Sequence, residues 1–474
     1  MATEGKEQGR PLAGMAVLAA IFLGFVFLVP RPDTLTPGAW RLAGLFLATV
    51  AGLILQPVPG GAVVLFAVTI APLLTPLKLA DALGGYADPT VWLVMAAFFI
   101  ARALINTGLA RRIALIFVRA FGRSTLGVCY ALGLSDMVLA SIIPSNAARS
   151  GGVILPIARS IAGLYGSEPG PTARRVGAFL MAGVYQSICI TAAMFFTGQA
   201  SNPLAAQMAG SFGYTVTWSS WLVAACVPGL CSLALVPWVV SRIYPPEIRQ
   251  TPEAAEFARA ELEKMGPMSR QEKILLAVFL SVCGAWATSS WTGLDITVAA
   301  LCGSATLLLA RILSWQDVTG ERAAWDIFIW YGGLLRLGKA LHEQHITETF
   351  AQAFGAMLAP LGWLSLLAVA LLVFYYAHYL FASITAHLLA LYAPFLALLA
   401  AKGAPLGLVV FSFACFANLS AGLTNYGTTP SPMYFAQGYV PLKDWWRVGF
   451  LVSLCHLAVW GSVGFAWWKI LGLW

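Results

Sequence analysis

Pro144-Ser145-Asn146-Ala147-Ala148-Arg149-Ser150-Gly151-Gly152 interrupts an apolar stretch running from 127 to 165, and Phe381-Ala382-Ser383-Ile384-Thr385-Ala386-His387 interrupts another from 358 to 401. Each stretch is an apolar arm, a short polar break and a second apolar arm containing a proline. Within a hydrocarbon layer, backbone outside a helix persists only where protein covers it or where it lines a cavity. The reading is two re-entrant hairpins. Their breaks are in register: Ser145 to Pro156 is eleven residues, and so is Ser383 to Pro394. One offset of 238 residues joins Ser145 to Ser383, Pro156 to Pro394, Ala148 to Ala386 and Trp92 to Trp330, which points to an internal duplication.

The rest of the chain fits a membrane setting. Of its 474 residues 59% are hydrophobic and 10% are charged, against about 25% charged in soluble domains. Mean hydropathy is +0.79. Eleven apolar runs, near 12–30, 38–56, 60–76, 90–108, 176–207, 218–241, 273–290, 294–313, 325–342, 404–436 and 447–472, are candidates to cross a core that needs about 20 helical residues. Long apolar runs without strict alternation predict an all-α bundle and exclude an outer-membrane barrel. The first run follows Lys6 and Arg10 but is too long for a cleaved signal and is followed closely by a second span.

Basic residues concentrate at Arg111 to Arg123, Arg174-Arg175, Arg242 to Lys273, and Lys443 with Arg447. Short loops rich in Lys and Arg stay cytoplasmic, so the N-terminus is expected inside and, after eleven spans, the C-terminus outside. The +8 net charge reflects that bias and does not suggest nucleic acid. All eight cysteines fall in apolar segments without a CxxC pair and read as small core residues. Trp218, Trp221, Trp445, Trp446, Trp467 and Trp468 lie near span ends and are expected as interfacial anchors.

Two further interruptions follow the hairpins. Thr197-Gly198-Gln199-Ala200-Ser201-Asn202-Pro203 breaks the fifth span, and Thr424-Asn425-Tyr426-Gly427-Thr428-Thr429-Pro430 breaks the tenth. Glycine and proline unwind a helix and free backbone groups for a ligand. Trp92 and Trp330 start spans on opposite faces in this topology, which makes the repeats inverted. Paired interrupted segments in inverted halves are the sequence pointer to a transporter's site.

These motifs together resemble the divalent anion/sodium symporter family, in its branch of citrate/succinate and 2-oxoglutarate/malate antiporters. The resemblance rests on the stretch from Pro144 through Leu155-Pro156-Ile157, on Phe381 to His387, and on Leu423 to Thr428 followed by Pro432-Met433-Tyr434-Phe435 and Gly438-Tyr439-Val440. It implies an elevator transporter of about eleven transmembrane helices plus the hairpins, a homodimer in a bacterial inner membrane that exchanges small di- or tricarboxylate anions (succinate, malate, 2-oxoglutarate, citrate or tartrate), with a Na⁺-coupled dicarboxylate symporter of the same fold as the alternative. Its parts would be scaffold spans in 1–126 and 273–357, transport halves in 127–242 and 358–474, and a cytoplasmic connector, 243–272. Two tips with the pattern Ser-Asn-Thr mark the family. Here Ala147 replaces the threonine of the first and Ile384 the asparagine of the second, which removes oxygen ligands that Na⁺ wants. No cofactor and no structural metal are expected, and any residual Na⁺ contact falls on Ser145 and Asn146.

Substrate contacts are expected at Ser145, Asn146, Ser383 and Thr385, with Thr197, Asn202, Thr424, Asn425 and Thr428 completing the wall. Arg149 and His387 each lie four residues after the aligned serine. A cation at bilayer depth is costly, so they are candidates for counter-charges that replace sodium. Two alternatives stand beside this: an ion pair of Arg149 with Asp136, and a neutral, hydrogen-bonded His387. Charges built into the protein would disfavour return of the empty carrier, hence antiport. Arg102, Arg336 and Lys339 are expected to snorkel or to pair with neighbours such as Asp326. Nothing resembles an activated nucleophile or a metal-ligand cluster, so an enzyme is not expected.

Overall fold

The computed structural model describes residues 9–349 and 362–474. The first residues of the second hairpin segment, 358–361, and the end of the second scaffold part, 350–357, lie outside the described residues. Among the described residues nine helices are long and apolar enough to cross a membrane, and Leu12–Leu28, Gly60–Leu74, Thr125–Ala140 and Ile296–Leu309 are shorter apolar helices. No strand forms among them beyond one isolated bridge, Ser124 with Gln250.

Both segments form two helical arms around a break. The first has arms Thr125–Ala140 and Leu155–Leu164, the second arm being preceded by a wide π-helical stretch, Ala147–Ile154. The second has arms Trp363–Ala377 and Ile384–Ala401. Both expected broken spans are broken. Gly177–Met194 gives way at an extended Phe195, two residues earlier than the Gly/Pro pattern suggests, and helix resumes at Ser201–Gly210. The Asn202 side-chain amide explains this shift, because Nδ2 donates to the freed carbonyls of Ala192 and Phe195, each at 2.8 Å. Leu406–Leu419 runs through a tight turn to an extended Thr424, and helix resumes at Pro430–Phe435.

Gly177–Met194 is wholly buried and forms the centre. It is joined to the second broken span by polar contacts between the two halves. Tyr185 donates to the Ala421 carbonyl at 2.6 Å, Gln186 Nε2 to that of Gly422 at 2.9 Å, and Asn418 Nδ2 to Asn202 Oδ1 at 2.8 Å. Backbone groups unwound in apolar surroundings are costly without partners, and these side chains supply them.

Arg111 to Arg119 is not a loop. Leu109–Phe121 is an amphipathic helix that buries Leu109, Ala110, Ala114, Leu115 and Val118. Its Arg112 points inward, where Nε donates to Glu272 Oε1 at 2.6 Å, and Arg111 reaches Glu261 of the connector helix Pro252–Met265 at 2.7 Å. The 174–175 backbone bonds to 247–248, and Tyr439 bonds to Ser167. The basic segments thus gather at one end of the bundle. The tryptophans differ more from expectation: Trp218, Trp221, Trp445 and Trp468 are buried, and only Trp446 and Trp467 keep appreciable exposure. Trp221 and Trp468 donate their ring N–H to the carbonyls of Ala193 and Ala224, both at 2.9 Å, so they are packing residues. The eight cysteines are unpaired; Cys129, Cys189 and Cys415 are buried, but Cys231 and Cys302 are exposed.

One close backbone approach gives a test of packing. A Cβ at Gly85 would stand 1.9 Å from the Gly332 carbonyl oxygen, whereas one at the neighbouring Gly84 would meet nothing within 4 Å. Gly85→Ala is expected to cost about 1–3 kcal/mol, the range for overpacking, and Gly84→Ala close to nothing. Thermal midpoints of the two variants in detergent check this.

Candidate functional site

Each second hairpin arm starts with a serine in the same role. Ser145 Oγ accepts the Ala148 N–H at 3.1 Å, and Ser383 Oγ accepts the Ala386 N–H at 3.4 Å. A serine cap satisfies one orphan donor of a helical start and leaves its own O–H free to donate elsewhere. Both serines open on one cavity of about 330 Å³, which also reaches Asn146, Thr385 and Thr428, together with Ala147, Gln199, Ala200, Ile384 and Thr429. Gln56, Phe98, Asp326, Ile327 and Trp330 are among the residues of the facing wall. The two tips, distant in sequence, therefore face a common space. Five of the eleven expected contact residues line it.

Arg149 does not. Its side chain is wholly buried behind the first tip, with Nε 3.1 Å from Asp136 Oδ1. Its other donors reach the carbonyls of Ile143 and Gly198, both at 2.6 Å, and Asn146 Oδ1 at 2.8 Å. The ion pair with Asp136 is the arrangement found, and an exposed counter-charge is not. Asp136 accepts in addition from Thr191 Oγ1 at 2.5 Å. The consequence for the tip is specific: with Asn146 Oδ1 held by the guanidinium, the amide Nδ2 is left buried and without a protein partner, on a residue that lines the cavity. The unpartnered group at the tip is a donor.

His387 is also away from the cavity. It is fully buried against Phe374, ring centroids 4.1 Å apart, and its Nδ1 lies 2.9 Å from Nδ1 of His378. His378 Nε2 lies 2.9 Å from the Gly427 carbonyl, which can only accept. Two neutral rings satisfy this chain: His378 donates from Nε2 and accepts at Nδ1 the proton of His387 Nδ1. No positive charge is required. In both halves a basic side chain of the hairpin bonds to a glycine carbonyl of the following broken span, Arg149 to Gly198 and His378 to Gly427.

Thr197, Asn202, Thr424 and Asn425 do not line the cavity either. Thr197 donates to the Ser141 carbonyl at 2.6 Å and accepts from Trp218; Asn202 caps freed carbonyls as described; Asn425 accepts from Trp446 at 3.1 Å. Thr424 is wholly buried, and its hydroxyl has no partner among the described residues. Thr197, Asn202 and Asn425 thus brace the breaks. The polar wall residues that sequence reasoning missed are Gln199, Thr429, Gln56 and Asp326. Gln199 and Thr429 belong to the polar breaks already singled out, and Asp326 is a mid-span charge that was assigned to pairing. Instead Arg336 pairs with Glu343 at 2.9 Å, Lys339 with Asp88 at 2.7 Å, and Arg102 approaches Asp317 at 3.7 Å.

A second cavity of about 330 Å³ is lined mostly by apolar side chains, among them Phe25, Phe46, Val50, Leu335 and Leu389. Its two basic residues, Lys339 and His342, already face Asp88 and Glu348. It offers a carboxylate little.

With this geometry, the sequence comparisons become specific. The family profile described as sodium:sulfate symporter transmembrane region matches residues 12–474. The chain belongs to this family. Among curated relatives it is 42% identical to a putative malate transporter, YflS, of Bacillus subtilis, over 99% of this chain and 98% of that one. It is 39% identical to the chloroplastic dicarboxylate transporter 1 of Arabidopsis thaliana, over 98% of this chain and 85% of that one. The inner membrane protein YbhI of Escherichia coli is 36% identical, over 95% and 96%. Among solved structures, the Alcanivorax borkumensis YdaH transporter superposes with a TM-score of 0.52 at 13% identity, covering 93% of this chain and 99% of that one, which shows likeness of fold. The chain is thus a multi-pass membrane protein of the divalent anion/sodium symporter family.

Proposed function

We propose that this protein exchanges dicarboxylates such as malate, succinate or 2-oxoglutarate across the membrane without sodium. The observation that carries the reading is the orientation of the first tip. A sodium ion needs several oxygens, but the Asn146 side-chain oxygen accepts from Arg149, and the amide Nδ2 of this cavity-lining residue is left without a protein partner. Neutral donors from both tips, Ser145, Asn146, Ser383 and Thr385, suit two carboxylates held side by side. Relatives named as malate and dicarboxylate transporters support the substrate class.

The Arg149–Asp136 pair neutralises the buried charge behind the first tip. The empty site carries no bare cation; it carries donors such as Asn146 Nδ2 that have no partner. Moving unpaired polar groups through a low-dielectric barrier is unfavourable, and a bound dicarboxylate relieves it in either direction. Both hairpins and both broken spans would move as one body against the remaining spans, in a homodimer, with the basic end of the bundle in the cytoplasm. A bacterial inner membrane fits the YbhI relative.

A sodium-coupled dicarboxylate symporter is the second reading, favoured by the family's description. Proteoliposomes separate the two. Labelled malate should enter only vesicles preloaded with a dicarboxylate, at equal rates in Na⁺ and in K⁺. Uptake into empty vesicles driven by a Na⁺ gradient would overturn exchange.

A further inference from the structure

Asp326 is the one charged side chain among the described residues that line the tip cavity. It belongs to the helix Arg322–Glu343 and is partly exposed. Among the described residues it makes neither an ion pair nor a hydrogen bond, while Arg336 and Lys339 further along that helix have acidic partners. A negative charge beside the binding space of an anion needs a reason.

The position is built to hold it. A Cβ on Gly61 would stand 2.5 Å from Asp326 Oδ1, so only glycine lets the carboxylate sit against the first turn of the helix Gly60–Leu74. The amide ends of a helix favour negative charge. The tips and breaks that line the cavity contribute hydroxyls, the amides of Asn146 and Gln199, and backbone, and Asp326 stands on the wall they leave.

From this placement we infer that Asp326 sets the charge selectivity of the carrier: it excludes substrates with a third carboxylate while admitting dianions. The inference rests on the dicarboxylate reading above. A dianion held by Ser145, Asn146, Ser383 and Thr385 keeps its two charges at the tips. In a cavity of about 330 Å³, a third carboxylate on the same skeleton has to approach the remaining wall and meet a like charge. At an effective dielectric near 20, two like charges within several ångströms weaken binding by roughly tenfold or more. A neutral group at the same place meets no such penalty, and a hydroxyl there can donate to Asp326.

The test uses one skeleton with and without the third charge. In proteoliposomes preloaded with malate, tricarballylate and its central monoamide are compared as inhibitors of labelled malate uptake. The monoamide should inhibit at least about tenfold more strongly, and in Asp326→Asn the two should fall within about threefold of each other. Asp326→Glu should keep the discrimination. Equal inhibition by acid and amide in the wild-type protein would overturn the inference, as would unchanged discrimination in Asp326→Asn. The wild-type comparison needs no variant to fold. Absence of malate exchange in the wild type would instead overturn the dicarboxylate reading, which keeps the two failures apart.

Discussion

Replacing Arg149 by alanine is expected to destabilise the protein by about 3–5 kcal/mol, the range for breaking a buried ion pair from one side, and to abolish exchange. Asp136 would remain in a wholly buried position with the Thr191 hydroxyl as its remaining side-chain partner. The carbonyls of Ile143 and Gly198 would lose their donor, and so would Asn146 Oδ1. The guanidinium therefore links three parts of the site: the first arm, the tip, and the break after Gly177–Met194. Lysine is a poor substitute because one ammonium cannot present the planar fork that meets both carboxylate oxygens and these carbonyls.

The double variant Asp136→Asn with Arg149→Met removes both charges together. Buried ion pairs replaced as a unit by neutral groups often recover stability, so the double variant should regain at least half of the midpoint lost in Arg149→Ala. It should not regain exchange, because the tip amide is no longer oriented. Thermal midpoints in detergent and malate exchange in proteoliposomes read the two effects separately. An Arg149→Ala protein with the wild-type midpoint but weaker substrate affinity would return Arg149 to the role of a direct counter-charge.

Much of the fold could be read from the chain because membrane physics makes helices and their breaks local. The apolar runs, the two hairpins and both broken spans depend on composition over stretches of twenty to forty residues, and the 238-residue offset identifies equivalent positions directly. What composition does not reveal is partnership. Asp136 lies thirteen residues before Arg149 and Gly198 lies forty-nine after it, and neither spacing identifies a contact. His387 was paired with Arg149 by offset, yet its partner is His378, on the other side of its own tip. The symmetry survives at the level of the bond to a glycine carbonyl and not at the level of residue position.

The helix Leu109–Phe121 was missed for a related reason. Its arginines suggested a loop, but Arg112 is buried with Glu272, and only the tertiary partner makes that arrangement affordable in a helix. Asp326 reads in the sequence as a neighbour for Arg102, Arg336 or Lys339, none of which it pairs with. The cavity is visible only once spans far apart in sequence are assembled.

Asn146→Asp offers the sharpest separation of binding from folding. The substitution preserves shape and keeps an oxygen where Arg149 Nη2 donates at 2.8 Å. The buried guanidinium then lies between two carboxylates, Asp136 and residue 146, so the protein is expected to fold. On the cavity side, however, an N–H donor becomes an oxygen that can only accept. The substrate loses a hydrogen bond to a charged group, worth about 1.5–3 kcal/mol, and gains a like charge at close range, worth about 2 kcal/mol or more at an effective dielectric near 20. Together these predict a loss of apparent malate affinity of at least about 100-fold, since about 1.4 kcal/mol is tenfold. The equivalent hydroxyl change, Ser383→Ala, removes one neutral donor without adding charge and should weaken affinity by about tenfold or less. Because the new carboxylate faces the cavity, Na⁺ could neutralise it, and exchange by Asn146→Asp should then partly recover with added Na⁺ while the wild type stays indifferent. A variant that exchanges malate normally would mean that the amide donor does not face the substrate, and the orientation set by Arg149 would have no functional consequence.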